Sequence, residues 1–550
     1  MEQSRLVIAI VLSFLVLFLW EVLFVDKQAS LKQKQNLEQQ QTAGEEPYAE
    51  KTKTLITDRA ASYKDNYSQP LQEIRKITVD TPLYSVQISE KGAVCKSFVL
   101  KNYREHVNDD SPLKEMVSDS DNGMFRTGFA GNSLVGINDA VFLANIDSDS
   151  IQINSQPYEL SFSWISPEGV VIDKTFSFSP ETYIIGLDVA VKNGSDRTIK
   201  DNLTLSLVNS LSEEISRYGF EGPSAYINNE LEQIKIKKIK DKNVYIGQFK
   251  WIALETRYFI SSIMPKGQAE ASMRLILEEN NILENQYVQP ACTIKPGTQR
   301  RYEYNLFMGP KSVKTLKTVG HNLDKAIYFG MFDIIAKPCL WLMNFIYEFI
   351  PNYGIAIIML TIFTKLILWP LGTKSYRSMN EMKKIQPLMT EIREKHKGNK
   401  KKMNEEMMSL YKVYKINPMG GCLPMVVQIP VFFALYRMLY EAIELRHAPF
   451  FGWINDLSAP DRLFNFGFSI PFMEPPYGIP VLTIIMGGTM FLQQKMSPPP
   501  GDPAQAKMMM FLPIIFTVIF INFSSGLVLY WLVNNILSIA QQHYISKTTA

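Results

Sequence analysis

Tyr353-Gly-Ile-Ala-Ile-Ile-Met-Leu-Thr-Ile-Phe-Thr-Lys365-Leu-Ile-Leu-Trp-Pro-Leu371 is the stretch on which the reading of the chain turns. Nineteen residues holding a single charge are long enough to cross a bilayer. An ammonium inside hydrocarbon costs roughly 2.5–3.5 kcal/mol on insertion scales, so Lys365 needs water, a partner or the interface. It stands six residues from Leu371, about 9 Å along a helix, so it can snorkel to the nearer headgroups. The competing reading is a wet cavity between spans.

The neighbouring sequence favours the cavity. Thr361 lies four residues before Lys365, which puts hydroxyl and ammonium on one helix face. Beyond a basic segment comes Asn417-Pro-Met-Gly-Gly-Cys-Leu-Pro-Met-Val-Val-Gln428-Ile-Pro-Val-Phe-Phe-Ala-Leu-Tyr436-Arg-Met-Leu-Tyr440, with Gln428 flanked by Pro424 and Pro430. Prolines free carbonyls that are tolerated at membrane depth only where protein or water satisfies them. A later apolar segment carries Tyr530, Asn534 and Ser538 at four-residue spacing. Such a stripe is either helix–helix glue, worth about 0.6–2 kcal/mol, or the lining of a cavity. As the third polar-bearing span, it is read here as lining.

Between the first two spans, Leu371 to Asn417 holds twelve Lys or Arg against five Glu. Met382, Ile385, Met389 and Ile392 recur at helical spacing, His396-Lys-Gly-Asn399 interrupts them, and Met403, Met407, Tyr411 and Tyr414 resume. Two helices, each with one apolar stripe, predict a polar-faced hairpin over residues 373–415. Its methionines serve either as an adaptable binding surface or as packing filler, and filler is the plainer reading.

The rest of the chain divides by composition. Leu6 to Val25 is apolar apart from Ser13 and Glu21 and reads as an uncleaved anchor within residues 1–26. Residues 27–62, rich in Gln, Lys, Glu and Thr, read as a flexible linker. From 63 to about 320 the pattern becomes period-two alternation, as in Ser85-Val-Gln-Ile-Ser and Val170-Val-Ile-Asp-Lys-Thr-Phe-Ser-Phe, with turn signals at Lys91-Gly92 and Asn193-Gly194. That predicts an antiparallel all-β domain, a large sandwich. Its one histidine, His106, joins no constellation that could carry chemistry. Residues 325–352 mix aromatics with Asp333, Lys337, Pro338 and Glu348, which suits an amphipathic helix lying in the interface, a crossing helix being the alternative. Five spans are expected within 353–545. Four cysteines make neither a disulfide framework nor a metal site, and no metal or other cofactor is expected.

Orientation follows from the basic hairpin. Its seven-charge excess places it in the cytoplasm. Alternation of six spans then puts both termini inside, the β domain outside, the connection bearing Arg446 and Arg462 outside, and the turn near Lys495 and Lys507 inside.

The segment from Asn417 to Tyr436, with Gln494-Lys-Met-Ser-Pro498 and Ser525-Gly-Leu-Val-Leu-Tyr530-Trp531, resembles the YidC/Oxa/Alb family of membrane protein insertases, in the Gram-negative type with a large periplasmic domain. The resemblance covers about residues 350–545 strongly and the β domain more loosely. It implies a multi-pass inner-membrane protein, a periplasmic β-supersandwich like that of galactose mutarotases, and insertase and chaperone work alone or with the Sec translocon. It also implies an arginine where this chain has Lys365; lysine keeps the charge but not the planar fork.

The expected site is therefore a hydrated groove kept wet by Lys365, Thr361, Gln428, Asn534 and Ser538. Tyr436, Tyr530 and Trp531 would contact the substrate helix. Lys383, Lys384, Arg393, Lys400, Lys401 and Lys402 of the hairpin would receive nascent chains or the ribosome, since a cationic surface suits RNA. No catalytic residue, metal or small-molecule substrate is expected, and the partners are nascent membrane proteins and lipid. The alternative is a solute channel or transporter, for which inverted repeats would speak; the two halves show no self-similarity.

Overall fold

Val170–Phe178 turns Val170, Ile172, Lys174, Phe176 and Phe178 to one buried face, as the two-residue period of a strand requires. It pairs antiparallel with Ile184–Asn193 and with Tyr158–Ile165, setting Phe176 opposite Leu187 on one side and Leu160 on the other. The long sheet to which these belong runs in the order Arg126–Phe129, Leu203–Ser210, Ile282–Val288, Glu270–Leu277, Val244–Glu255, Phe259–Pro265, Thr298–Pro310, Ile184–Asn193, Val170–Phe178, Tyr158–Ile165, Leu143–Ala144. A second sheet orders Leu113–Glu115, Val94–Arg104, Tyr84–Ser89, Lys76–Asp80 and Ser150–Gln152. Val86 and Phe98 of the smaller sheet share one core with Leu160, Phe176 and Leu205 of the larger. Two sheets closing on a common apolar layer form the sandwich that alternation predicts.

The computed structural model describes residues 46–47, 74–108, 110–117, 123–210, 219–267, 269–278, 281–414, 416, 423–497 and 503–549. The anchor expected at 1–26 lies outside them, as do the linker at 27–62 apart from 46–47, and the segment 417–422. Residues from Pro47 onward belong to one compact unit.

The helical region comprises α1 (Val313–Val319), α2 (Asp333–Phe349), α3 (Tyr353–Lys384), α4 (Gln386–Lys395), α5 (Lys400–Val413), α6 (Leu423–Glu441), α7 (Val481–Met496), α8 (Pro503–Phe520) and α9 (Ser525–Thr549). Asn352 caps α3 by accepting from the Ile355 N–H at 3.1 Å, which satisfies one orphan donor of the first turn. The helix then continues through Pro370 to Lys384, so the apolar run and the start of the basic segment are one rod rather than a span followed by a turn. The hairpin is α4 and α5, broken at His396 to Asn399. Ile385, Met389, Tyr411 and Ile416 are its buried core, with Met382, Met407 and Leu410 against it. Tyr414, placed in that stripe by spacing, is instead 51% exposed.

Among the described residues only α3 is long and apolar enough to cross a membrane, against six spans expected. α7 has 16 residues, about 24 Å of helix, and α9 is interrupted by its polar stripe, while the expected first anchor and the side chains of residues 423–427 in α6 and 503–508 in α8 lie outside the described residues. Close helix approach compensates in packing. Gly372 of α3 lies on Gln541 of α9 and Gly487 of α7 lies on Thr517 of α8, each where a Cβ would collide with the partner side chain.

The sheets and helices share a second core. Tyr226, Trp251, Ile260, Met264 and Phe307 of the long sheet pack with Leu323, Phe329, Leu340, Leu435 and Leu527. Polar contacts accompany it. Arg257 donates to the Tyr440 carbonyl at 2.8 Å with its guanidinium 3.6 Å over the Tyr440 ring, and Arg446 donates to the carbonyls of Arg104 and Glu105 at 2.6 and 2.9 Å. These tie the last turn of α6 and the loop after it to the β domain.

Candidate functional site

Three helices build the site. On α3, Lys365 points toward α9, which packs along it, and its ammonium donates to the Ser538 hydroxyl at 2.6 Å. Ser538 in turn donates to the Asn534 carbonyl one turn earlier at 2.7 Å. On α6, Gln428 donates to the Asn534 side-chain oxygen at 2.9 Å and is also hydrogen-bonded to Tyr530. The four-residue spacing 530, 534, 538 thus does what helical geometry permits: it puts one polar ridge of α9 against both other helices.

Four of the five residues expected to line the groove, Lys365, Gln428, Asn534 and Ser538, come together in this chain of contacts. Thr361 does not join it. Its hydroxyl is fully buried and bonds the Ile357 carbonyl at 2.6 Å, the back-bond a mid-helix threonine commonly makes.

Lys365 is half-buried and meets no carboxylate among the described residues. A hydroxyl can orient an ammonium but cannot neutralise it, so the net positive charge stays in the site. This is a point-charge arrangement, with donors free to swing toward an anion.

The aromatic residues expected to touch substrate lie deeper. Tyr436 is 7% and Tyr530 3% exposed. Trp531 stands edge-on to Phe432 at 4.6 Å and beside Phe520 at 5.2 Å, while Tyr436 stacks on Phe432 and meets Phe523 edge-on at 5.5 Å. In this state they are the packed wall behind the polar chain.

The hairpin lysines divide. Lys383 donates to the Met496 carbonyl at 2.5 Å, closing over the end of α7, and Lys384 is likewise engaged. Arg393 is half-buried, and Lys401 and Lys402 are exposed; the side chain of Lys400 lies outside the described residues.

Several participants escaped the sequence reading. Tyr376 of α3 hydrogen-bonds Ser538, Gln542 of α9 donates to the Met496 carbonyl at 3.1 Å, and Gln541 donates to the Trp369 carbonyl at 3.1 Å. Gln542 carried a usable signal, since it continues the 530, 534, 538 spacing by one more turn. Tyr376 carried none, because it lies in the basic segment that composition assigns to the hairpin.

The profile of the family described as "60Kd inner membrane protein" matches residues 345–550, and that described as "YidC periplasmic domain" matches residues 76–342. A membrane protein insertase YidC of Syntrophobacter fumaroxidans is 39% identical over 554 aligned residues, covering 99% of this chain and all of the relative. A second, of Syntrophus aciditrophicus, is 40% identical, covering 99% of each chain. Among solved structures, an active YidC insertase with its first transmembrane domain resolved aligns with 90% of this chain and 99% of its own at 19% identity and a TM-score of 0.38.

Proposed function

Because the chain belongs to the YidC family of membrane protein insertases, we propose that it inserts nascent inner-membrane proteins by way of the polar chain between α3, α6 and α9. A short polar segment crossing hydrocarbon must leave water, and each unpaired backbone group there costs several kcal/mol. Lys365, Gln428, Asn534 and Ser538 supply donors and acceptors partway across, which shortens the dry distance. The uncompensated ammonium attracts acidic residues of the incoming segment. The client's apolar helix then leaves past Tyr436, Tyr530 and Trp531, driven by its own burial at about 25 cal/mol per Å². No bond is broken, so the work calls for no catalytic residue.

The reading extends to topology and partners. Six spans carry the chain through the membrane, with α3, α6, α7, α8 and α9 as the last five and both termini and the hairpin in the cytoplasm. The β domain is periplasmic, and α2 lies in the interface, with Ile334, Trp341 and Phe349 exposed on one side and Ala336, Leu340 and Met343 buried on the other. Exposed Lys401 and Lys402 receive nascent chains or ribosomal RNA, and larger clients are handled as a chaperone with the Sec translocon. The solute-channel alternative has no support in the relatives, which are named as insertases.

The observation that carries this reading is the ammonium of Lys365 held, among the described residues, by a hydroxyl and no carboxylate inside an apolar helix assembly. Its test is insertion of a small single-span protein into liposomes holding the purified chain, scored by protease protection. Wild type inserts it, Lys365→Ala does not, and Lys365→Glu loses clients with acidic tails most. Equal insertion by wild type and Lys365→Ala makes Lys365 a snorkelling residue and removes the charge from the mechanism.

A further inference from the structure

The connection between α6 and α7 contains eleven consecutive uncharged residues, Leu463-Phe-Asn-Phe-Gly-Phe-Ser-Ile-Pro-Phe-Met473. A loop facing water rarely spends four phenylalanines in eleven residues, and these are not buried. Phe464, Phe468 and Phe472 are 68%, 65% and 81% exposed. Phe466 and Phe468 stack on each other at 5.4 Å with nearly parallel rings. Phe464 and Phe472 have φ of 62° and 63°, in the left-handed region that a bulky side chain avoids. Strained backbone that turns an aromatic ring away from the protein gains nothing inside it; such strain marks a segment shaped for something outside.

The loop is held firmly at one place. Arg462 donates to the carbonyls of Pro476 and Ile521, both at 2.8 Å, and to Asn522 Oδ1 at 3.3 Å. Asn522 accepts from the Glu474 N–H at 2.9 Å and donates to the Phe472 carbonyl at 3.0 Å. Asn522 sits in the turn between α8 and α9, so the aromatic loop is pinned to the end of α8. The exposed face of α8 carries Phe511, Ile514, Ile515, Val518 and Ile519, and the aromatic loop is continuous with the end of that helix through its bonds to Ile521 and Asn522. Arg462, the cation that precedes the aromatic stretch, is occupied in the pinning.

From this continuity we infer that residues 463–473 are a membrane-interface anchor, their phenylalanines seated among the headgroups and upper acyl chains of the leaflet at the α8–α9 turn. The occupant is phospholipid rather than a protein partner. A stretch without charge offers nothing to a charged partner, whereas aromatic rings at a span's end are what an interface favours. Fastening the external end of α8 to the leaflet fixes the depth of the helix pair α7–α8 while α3, α6 and α9 admit a client. The inference rests on the reading of α8 as a span.

The test replaces Phe468, Phe472, Ile515 of α8 or Val135 of the β domain, which is 78% exposed, by p-benzoylphenylalanine, one at a time. Each full-length variant is irradiated in liposomes of phosphatidylethanolamine and phosphatidylglycerol, and the adducts are identified by mass. Positions 468 and 472 are expected to give phospholipid adducts at a yield comparable to 515 and at least about tenfold above 135. Adducts at 515 but none at 468 or 472 overturn the anchor and leave the span reading standing. No adduct at 515, 468 or 472 overturns both. A protein adduct at 468 without a lipid adduct replaces the leaflet by a polypeptide partner and likewise overturns the proposal. Each of the four replaced side chains is exposed, so the fold is not put at risk by the substitution.

Discussion

Two lysines, one in each region of the molecule, are taken out of bulk water with no carboxylate among the described residues to meet them, and their surroundings differ in one respect that matters. Lys174 lies in the sandwich core at 0% exposure, donates to the Gly92 carbonyl at 2.7 Å and sits 5.3 Å from the Phe142 ring. The Gly92 and Ala93 carbonyls and a ring face surround its ammonium and seal it. Among the described residues Lys365 has one hydroxyl partner, and it keeps an open side. The difference teaches that a buried cation marks a working site only when something else can still reach it; a sealed one belongs to the fold.

A third lysine gives the largest effect by which to challenge that rule. Lys311 pairs with Glu255 at 2.8 Å, their side chains 6% and 0% exposed, and Ser224 donates to the same carboxylate. If sealed charges serve the fold, Lys311→Met strands Glu255 and costs about 3–5 kcal/mol of stability in denaturant unfolding of the full chain. Replacing Glu255 and Lys311 together by apolar residues restores most of it. Unchanged stability in the single variant would remove the distinction.

Titration sharpens the comparison next. Burial pushes the Lys174 ammonium down to about 7, against about 10.4 in an unfolded chain. Between those values the unfolded state binds more protons, so stability rises with pH from about 7 to about 10.4 and is flat below 7. Thermal unfolding of the β domain within the full chain should show this rise, each kcal/mol amounting to about 2–4 °C. Lys174→Met should abolish it, whereas Lys365→Met should leave it in place.

Access can be measured directly. A water-soluble amine-acylating reagent, followed by peptide mass analysis, should modify Lys365 at least about tenfold faster than Lys174, because Lys174 reacts only through local opening. Equal protection would mean the bundle seals its lysine too. The smallest effect concerns the polar chain itself: Gln428→Leu should lower stability by about 0.6 kcal/mol, and no more than about 1.7, the range of interhelical hydrogen bonds in membranes. A larger loss would make the chain structural glue.

Much of this is legible in the sequence. Alternation in Val170–Phe178 foretold a buried face, and the stripes Met382, Ile385, Met389 and Met407, Tyr411 foretold the hairpin core. The stripe Tyr530, Asn534, Ser538 foretold a polar ridge that the structure turns to Lys365 and Gln428. Thr361, expected to line the groove, bonds the Ile357 carbonyl instead, because spacing places a hydroxyl on a face without saying whether its nearest acceptor is a neighbour or its own helix. Tyr436 and Tyr530 were expected at a surface and lie in the packed wall, since an aromatic residue reads alike in either setting.

Local sequence specifies the elements and the faces they turn, because periods of two and 3.6 residues are properties of the local chain. It also determined which polar residues would stand in apolar company. Only the tertiary structure decided which of them meet: Lys365 and Ser538 are 173 residues apart, Gln428 and Asn534 are 106 apart, and Arg446 finds Arg104 across 342. Contacts over such separations depend on how faces dock once formed, and docking is decided by shape and by the satisfaction of every buried polar group together, which no window of sequence contains.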